Sequence, residues 1–216
     1  MLAPPLNAAG ARLAQAGVPP IALTGAGWAC GAGACVAAGL HAWPVALALW
    51  LANRLLDGLD GPTARAGCAT ESGGFLDIVA DFSVYAGIIV GLAVAEPRAR
   101  LACVALLAAY YVSGTALLAL SSLAEKRSSQ AERSSPVGRG RARLGDERSL
   151  RFTGGLAEGT ETIAVYVLLF VLPGSAAVIA WAFTAAVAVT AVQRIAFGLW
   201  LLRAPVAAEA PETADV

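Results

Sequence analysis

Long apolar stretches, separated by short polar or proline-containing breaks, make up most of the sequence. A helix that crosses a bilayer needs about 20 mostly apolar residues. Six stretches approach or exceed this length, and a short segment, Leu6 to Ala16, precedes them. The six stretches are 21–40, 45–59, 75–94, 101–123, 156–172 and 176–202. The pattern predicts an all-α, polytopic membrane protein with six transmembrane helices, preceded by a short interfacial helix.

The composition agrees with this pattern and argues against an ordinary soluble domain. Hydrophobic residues make up 58% of the 216 residues and charged residues only 14%, and the mean hydropathy is +0.68. Soluble domains carry roughly 25% charged residues. The formal net charge is zero, so no overall field attracts nucleic acid. The four cysteines and the single histidine are scattered, which favours free thiols over a disulfide or a zinc site.

The basic residues are concentrated in one connection. The segment between the fourth and fifth predicted spans, 124–151, holds eight of the fifteen Lys and Arg residues. The positive-inside rule places this segment in the cytoplasm, and with six spans both termini and the connection between spans two and three lie there too. Residues 1–204 then form one six-span domain, followed by a disordered tail, 205–216. The Ser-, Arg- and Gly-rich stretch 128–140 is predicted to be flexible.

Acidic residues lie inside apolar segments, where they are costly. A charged side chain at the centre of a bilayer costs about 3 kcal/mol on insertion scales, and such residues usually serve a function. The second and third predicted spans each carry two aspartates at helical spacing, so each pair shares one helix face. These four aspartates are Asp57, Asp60, Asp77 and Asp81. A connection rich in small residues joins the two spans, so we expect the pairs to face each other near the cytoplasmic end.

Four carboxylates in one place repel one another, by about 3 kcal/mol for each ionised pair 6 Å apart at an effective dielectric near 20. They can be protonated, pair with basic residues, or share cations. Arg54 and Arg65 are near in sequence, too few to neutralise all four. Oxygen ligands without His or Cys suit Mg²⁺, Mn²⁺ or Ca²⁺. The sequence therefore predicts a divalent-metal site, and isolated carboxylates at helix ends are the structural alternative.

The residues between the aspartates indicate what the metal would bind. Glycines at 58, 61, 73 and 74 let a ligand approach the backbone closely. Arg65 supplies a forked donor suited to phosphate. Together with carboxylate-held metal, these residues predict a diphosphate site, although glycines in membrane helices also serve helix packing.

The segment from Asp57 to Asp81 resembles the motif of the CDP-alcohol phosphotransferase family. The motif consists of Asp, two residues, Asp-Gly, two residues, Ala-Arg, seven or eight residues, Gly, three residues, Asp, three residues, and Asp. This chain matches all eight fixed positions within 25 residues. The matching residues are Asp57, Asp60, Gly61, Ala64, Arg65, Gly73, Asp77 and Asp81. The match is highly specific, and the predicted six-span plan is also typical of the family.

The resemblance implies an enzyme of the inner membrane with its active site facing the cytoplasm. Two divalent ions, Mg²⁺ or Mn²⁺, would be held by the four aspartates, and Asp81 would also deprotonate the acceptor hydroxyl. Gly61, Ala64 and Arg65 would line the CDP pocket, and Thr24 is a further candidate for nucleotide contact. The acceptor oxygen would attack the β-phosphorus, and CMP would leave. The implied partners are a CDP-linked lipid donor such as CDP-diacylglycerol, an alcohol acceptor, membrane lipids, and a second copy of the chain in a homodimer.

Candidate residues for the acceptor lie in the fifth and sixth predicted spans. Arg151 and Arg194 are placed to reach an acceptor phosphate. Glu158 and Glu161 share a face of the fifth span and are candidates to meet the acceptor or the metal centre. The alternative is structural: the glutamates start or pack the helix, or one of them pairs with Arg194.

A cation- or proton-coupled transporter is the main alternative function, because acidic residues in spans also mark ion pathways. Transport would predict carboxylates spread across the depth of the bilayer and an inverted internal repeat. The four aspartates are instead predicted at one depth, and no repeat is visible in the sequence. A non-catalytic membrane scaffold would give no reason for four clustered aspartates.

Overall fold

The computed structural model describes residues 3–67, 69–134 and 159–203, which are helical apart from short connections. The described α-helices are α1 (Ala3–Gln15), α2 (Pro20–Gly39), α3 (Trp43–Ala66), α4 (Glu71–Ala95), α5 (Arg100–Ser134), α6 (Gly159–Val171) and α7 (Ala176–Arg203). Single-turn 3-10 helices at Pro97–Ala99 and Pro173–Ser175 lead into α5 and α7. The all-α prediction is confirmed.

Four helical stretches of the described chain are long and apolar enough to cross a membrane. They are Pro20–Gly39, Glu71–Ala95, Pro97–Arg127 and Pro173–Leu201. Large apolar side chains on these stretches are exposed, as lipid contact would require; Leu101 and Val178, for example, are 71% and 73% exposed. The helix α3 is continuous but carries charged residues of the motif, and α6 has only 13 described residues. The predicted count of six spans is therefore not confirmed.

The helix α5 is longer than the predicted fourth span. That span was predicted to end at Leu123, and 128–140 was predicted to be flexible, but the helix continues through Ser134. The residues after Leu123 include Ala, Glu, Lys, Arg and Gln, which all favour helix. Residues 128–134, which belong to the stretch predicted to be flexible, are therefore helical. The rest of the basic connection, 135–151, and the tail, 205–216, lie outside the described residues.

The chain divides into two compact units. The first comprises Met1–Leu107 and Thr162–Ala182, and the second Ala108–Glu161 and Phe183–Val216. In the first unit, α2 packs against both α3 and α4, and α1 packs against α3.

Small residues let the helices of the first unit approach closely. At Gly91 of α4, an added Cβ would be less than 3.0 Å from the carbonyl oxygen of Cys35 in α2. At Gly10 of α1, an added Cβ would be 2.5 Å from the Cβ of Pro62 in α3. Backbones approach this closely in membrane helices only where side chains are small.

In the second unit, two arginines connect α5 and α7. Arg194 of α7 donates a hydrogen bond of 2.7 Å to the hydroxyl of Ser113 in α5. Arg127 of α5 donates one of 2.6 Å to the carbonyl of Leu201 near the end of α7. Cations near the C-terminal end of a helix interact favourably with its carbonyl groups.

Candidate functional site

The four aspartates lie on two consecutive helices that are joined by a short connection. Asp57 and Asp60 are on α3, and Asp77 and Asp81 are on α4. The connection ends at Thr70, whose hydroxyl accepts a hydrogen bond of 3.1 Å from the backbone N–H of Gly73. Threonine is a favoured residue at this capping position because it satisfies a backbone donor that has no partner in the helix. This cap fixes the start of α4 at Glu71, six residues before its first aspartate, Asp77.

A cavity of about 630 Å³ lies beside the motif. It is closed on one side by the end of α1 and the turn into α2, where Ala14, Gly17 and Val18 line it. Its lining from the other elements includes Thr24, Asp60, Gly61, Ala64, Gly73, Gly74 and Asp77. This volume lies within the usual range of small-molecule sites. The motif residues Gly61, Ala64 and Gly73 have small side chains or none, so they take up little space in the cavity. One aspartate of each helix, Asp60 and Asp77, also lines it.

Asp60 is held by a residue from a different helix. The hydroxyl of Thr24 in α2 donates a hydrogen bond of 2.9 Å to Oδ2 of Asp60. Asp60 is 8% exposed. A hydrogen bond to an ionised carboxylate is stronger than one between neutral groups. Thr24, predicted as a nucleotide contact, therefore both lines the cavity and orients a predicted metal ligand.

Arg54 joins the other two aspartates, one on α3 and one on α4. Its Nη2 lies 2.6 Å from Oδ1 of Asp81, and its Nη1 lies 3.3 Å from Oδ2 of Asp57. The Arg54 side chain is 7% exposed, whereas those of Asp57 and Asp81 are 30% and 29% exposed. One buried guanidinium thus compensates part of the charge of two carboxylates on different helices.

Aromatic side chains surround the Arg54 guanidinium. Its central carbon lies 4.7 Å from the ring centre of Trp50 and 5.0 Å from that of Tyr85. The ring of Tyr166 stacks on Trp50 at 5.0 Å, and its hydroxyl donates to the backbone carbonyl of Tyr85. Cation–π contacts of this kind are strongest where water is excluded.

The aspartates fall into two pairs by their surroundings. Asp57 and Asp81 share the guanidinium of Arg54, and Asp60 and Asp77 line the same cavity. Within the described residues, no three Asp, Glu, His or Cys side chains converge as the ligands of one ion would.

The donor chemistry of these pairs suits a hard divalent ion, because every predicted ligand atom is a carboxylate oxygen. The residue types therefore fit Mg²⁺ or Mn²⁺. In the structure, Arg54 contacts one oxygen of Asp57 and one of Asp81, and Thr24 contacts one oxygen of Asp60. The roles of these residues as metal ligands stay a prediction.

Arg65, predicted to bind the diphosphate, lies at the end of α3 beside Gly61. It is exposed, and its Nη2 is 3.5 Å from Oδ1 of Asn7 in α1. Its Nη1 is 3.3 Å from the point where a Cβ on Gly61 would stand. Gly61 and Ala64 line the cavity, but Arg65 is not among the residues of its wall. The structure places Arg65 near the predicted pocket without committing its guanidinium to a close protein partner.

The structure describes two of the four predicted acceptor residues, Glu161 and Arg194. Glu161 is exposed in the first turn of α6. Arg194 is half-buried on α7, where it donates to Ser113. Arg151 and Glu158 lie outside the described residues. All four acceptor roles stay predictions.

Arg54 was predicted only as a nearby cation, and its central place in this site was not predicted. Its spacing to Asp57 is a usable signal, since residues three apart on a helix are neighbours. Its contacts with Asp81 and Tyr85, however, join positions 27 and 31 residues apart, which local spacing does not predict.

Comparison with known proteins places the chain beside membrane proteins. No family model matches it. It is 40% identical to the inner membrane protein YnjF of Escherichia coli (strain K12) over 162 residues. This aligned segment covers 74% of this chain and 73% of that protein.

Two crystal structures of phosphatidylinositol phosphate synthase (PgsA1) from Mycobacterium tuberculosis have the same fold. The structure with CDP-DAG bound gives a TM-score of 0.62 at 21% identity, over 89% of this chain and 92% of that chain. The structure in complex with manganese and citrate gives 0.63 at 20% identity, over 90% and 88%. The resemblance to the CDP-alcohol phosphotransferases is thus confirmed at the level of the fold.

Proposed function

We propose that this chain, which belongs to the family of the Escherichia coli inner membrane protein YnjF, is a CDP-alcohol phosphotransferase, because it carries the eight-residue motif and has the fold of phosphatidylinositol phosphate synthase. The proposed reaction transfers a substituted phosphate, of the phosphatidyl type, from a CDP-linked donor to an alcohol and releases CMP. The observation that carries the proposal is the arrangement of the eight motif residues. Asp60 of α3 and Asp77 of α4 line a cavity of about 630 Å³ whose wall also includes the motif residues Gly61, Ala64 and Gly73. The other two aspartates, Asp57 and Asp81, share the guanidinium of Arg54.

The cavity suits the proposed donor in size and in lining. Its volume lies in the range of sites for ligands of nucleotide size. The N-terminal end of α4, which carries a partial positive charge, reaches the cavity at Gly73 and Gly74. Helix N-termini attract phosphate groups. That CDP-DAG binds the synthase with the same fold supports CDP-diacylglycerol as the donor.

The four aspartates are the proposed ligands of two divalent ions. A manganese complex of the synthase with the same fold supports Mn²⁺ or Mg²⁺. When bound, such ions supply charge stabilisation to the attacking and leaving oxygens of an in-line displacement. The four aspartates would contribute the oxygen ligands, and the small motif residues beside them would leave room for the donor.

Asp81 is the proposed base. A carboxylate within hydrogen-bond reach of a hydroxyl accepts its proton as the oxygen attacks. The acceptor oxygen then bonds to the β-phosphorus, the bond from that phosphorus to CMP breaks, and the proton ends on Asp81. Arg54 would leave Oδ2 of Asp81 available for this role, because the guanidinium contacts Oδ1.

We also propose six spans in the inner membrane, with the active site and both termini in the cytoplasm, and a homodimer. The name of the E. coli relative supports the inner membrane, and the basic residues of 124–151 support the orientation. The alternative, a cation- or proton-coupled transporter, is not favoured, because the fold is that of a phosphotransferase.

The proposed function is tested with protein purified in detergent. It would be given CDP-diacylglycerol, Mn²⁺ or Mg²⁺, and a panel of alcohols with and without a phosphate group, and CMP release would be measured. We expect metal-dependent CMP release with at least one alcohol. Absence of CMP release with every alcohol and both metals would overturn the proposed reaction.

The base is tested in the same assay with Asp81→Asn. Losing a general base costs typically about 10²–10⁴-fold in rate. We therefore expect turnover to fall at least by that amount while metal-dependent binding of the donor is largely kept. Glu96→Gln, which changes an acidic residue just after the other end of α4, is the matched control. Full activity in Asp81→Asn would remove the base assignment.

A further inference from the structure

Arg54 is built into the aspartate cluster by contacts on every side. Besides the two aspartates, its Nε donates a hydrogen bond of 2.8 Å to Oδ1 of Asn53, and its Nη1 donates one of 2.9 Å to the hydroxyl of Tyr85. Asn53 is itself held, since its amide donates to the carbonyl of Gly27 in α2 at 2.8 Å. The guanidinium is therefore bonded directly to side chains of α3 and α4, and it is linked to α2 through Asn53.

The packing around Arg54 leaves it little room to move away. Its side chain is 7% exposed. The rings of Trp50 and Tyr85 lie 4.7 and 5.0 Å from its central carbon, and Trp50 has no exposed surface. A guanidinium that swung out would lose these ring contacts together with four hydrogen bonds. We conclude that the positive charge stays beside Asp57 and Asp81 whether or not another cation binds there.

We propose that Arg54 is a built-in counter-cation of the site, a positioning residue that holds Asp57 and Asp81 together across α3 and α4 and lowers their affinity for a divalent ion. The inference rests on the proposed function, because it requires that the four aspartates bind such ions. It goes beyond the motif, because Arg54 is not one of its eight fixed positions.

Two opposite effects follow from removing this charge. The metal-free cluster becomes less stable, because Asp57 and Asp81 lose the partner that offsets their mutual repulsion. A divalent ion, in contrast, binds more tightly, because it no longer meets a fixed positive charge. Even at the dielectric of bulk water, a single and a double positive charge about 6 Å apart repel enough to change a binding constant about tenfold.

The test measures Mn²⁺ binding by full-length protein in detergent, using the electron paramagnetic resonance signal of free Mn²⁺ during a titration. We expect Arg54→Gln to bind Mn²⁺ at least about tenfold more tightly than the wild type. We also expect its melting temperature to be lower without metal and to rise more on adding Mn²⁺. If Arg54 had only a structural role, Arg54→Gln would bind Mn²⁺ more weakly than the wild type, because a loosened site binds metal more weakly.

Two further variants separate charge from packing. Arg54→Lys keeps the charge but loses the fork of donors, so we expect its Mn²⁺ affinity to stay within about threefold of the wild type while its stability falls. Arg100→Gln removes an exposed arginine that donates to the carbonyl of Ala93, away from the site, and should leave Mn²⁺ affinity unchanged. If Arg54→Gln folds only with Mn²⁺ present, the same proposal predicts slower release of Mn²⁺ on dilution than from the wild type.

The outcomes distinguish this inference from the proposed function. If the wild type binds Mn²⁺ and Arg54→Gln binds it equally or more weakly, the counter-cation inference is wrong and the proposed enzyme stands. A tenfold gain in Arg54→Lys would also overturn it, because affinity would then not follow charge. If neither the wild type nor Arg54→Gln binds Mn²⁺, the metal site of the proposed function fails, and this inference fails with it.

Discussion

The close contact between α2 and α4 at Gly91 provides a sharp test of the packing. Gly91 is buried, and a Cβ added to it would be less than 3.0 Å from the carbonyl oxygen of Cys35. It would also be 3.3 Å from the Cβ of Ala38 and 3.3 Å from the backbone nitrogen of Gly39. Two of these three atoms belong to the backbone of α2, so the side chains cannot relieve the overlap by rotating. Gly91→Ala should therefore force the two helices apart by several tenths of an ångström.

The size of the effect follows from two opposing terms. Extra atoms in a well-packed contact typically cost about 1–3 kcal/mol. Replacing glycine by alanine inside a helix gains up to about 1 kcal/mol from helix propensity. Gly25→Ala in α2 isolates the second term, because Gly25 is exposed and an added Cβ there would meet no atom within 4 Å. The difference between the two variants is therefore the overlap alone, about 1–3 kcal/mol.

The measurement is thermal unfolding of the purified proteins in one detergent at one scan rate, so that irreversible unfolding affects all of them equally. For a chain of this size, 1 kcal/mol corresponds to roughly 2–4 °C. Gly91→Ala should thus melt roughly 2–12 °C below Gly25→Ala. If Gly91→Ala melts at or above the temperature of Gly25→Ala, the close approach of α2 and α4 at this point is wrong.

Three further predictions concern the site and the topology. Thr24→Val removes the hydroxyl that orients Asp60 and should weaken Mn²⁺ binding by about 10–100-fold, as is typical for a residue that supports a metal ligand. Unchanged affinity in a titration would show that the Thr24 hydroxyl does not support metal binding. Arg65→Ala should raise the donor concentration needed for half-maximal CMP release by about tenfold or more, since a hydrogen bond to a charged group contributes about 1.5–3 kcal/mol, whereas Arg98→Ala serves as the control and should not. An unchanged dependence on donor would remove the phosphate role of Arg65. A reporter that functions only in the cytoplasm, fused after Val216, should be active, and an inactive but intact fusion would invert the topology.

The sequence by itself determined the approximate positions of most helices of the described chain, although α3 and α5 continue beyond the predicted ends. The hydropathy of a stretch and the prolines at its ends are local properties, so the predicted spans agree with α2, α4 and α7 to within a few residues. The spacing of the aspartates determined which of them share a helix. The motif from Asp57 to Asp81 was sufficient to indicate the fold that the comparisons then confirmed.

Local composition was a poorer guide at the end of α5. The Ser-, Arg- and Gly-rich stretch 128–140 was predicted to be flexible, but many of its neighbours favour helix, and the helix continues through Ser134. The propagation of an existing helix costs much less than starting one. A composition typical of disorder therefore does not end a helix that has already formed.

Only the tertiary structure decided which groups balance the four aspartates. Thr24 reaches Asp60 from 36 residues away in the chain, and Arg54 reaches Asp81 from 27 residues away. These partners depend on how closely α2, α3 and α4 pack, which is set by contacts such as that of Gly91 with the α2 backbone. Hydropathy and spacing describe single helices, whereas the distance between a charge on one helix and a charge on the next depends on their packing. For this reason the sequence predicted that the four charges need compensation, and the structure showed that Arg54 supplies part of it.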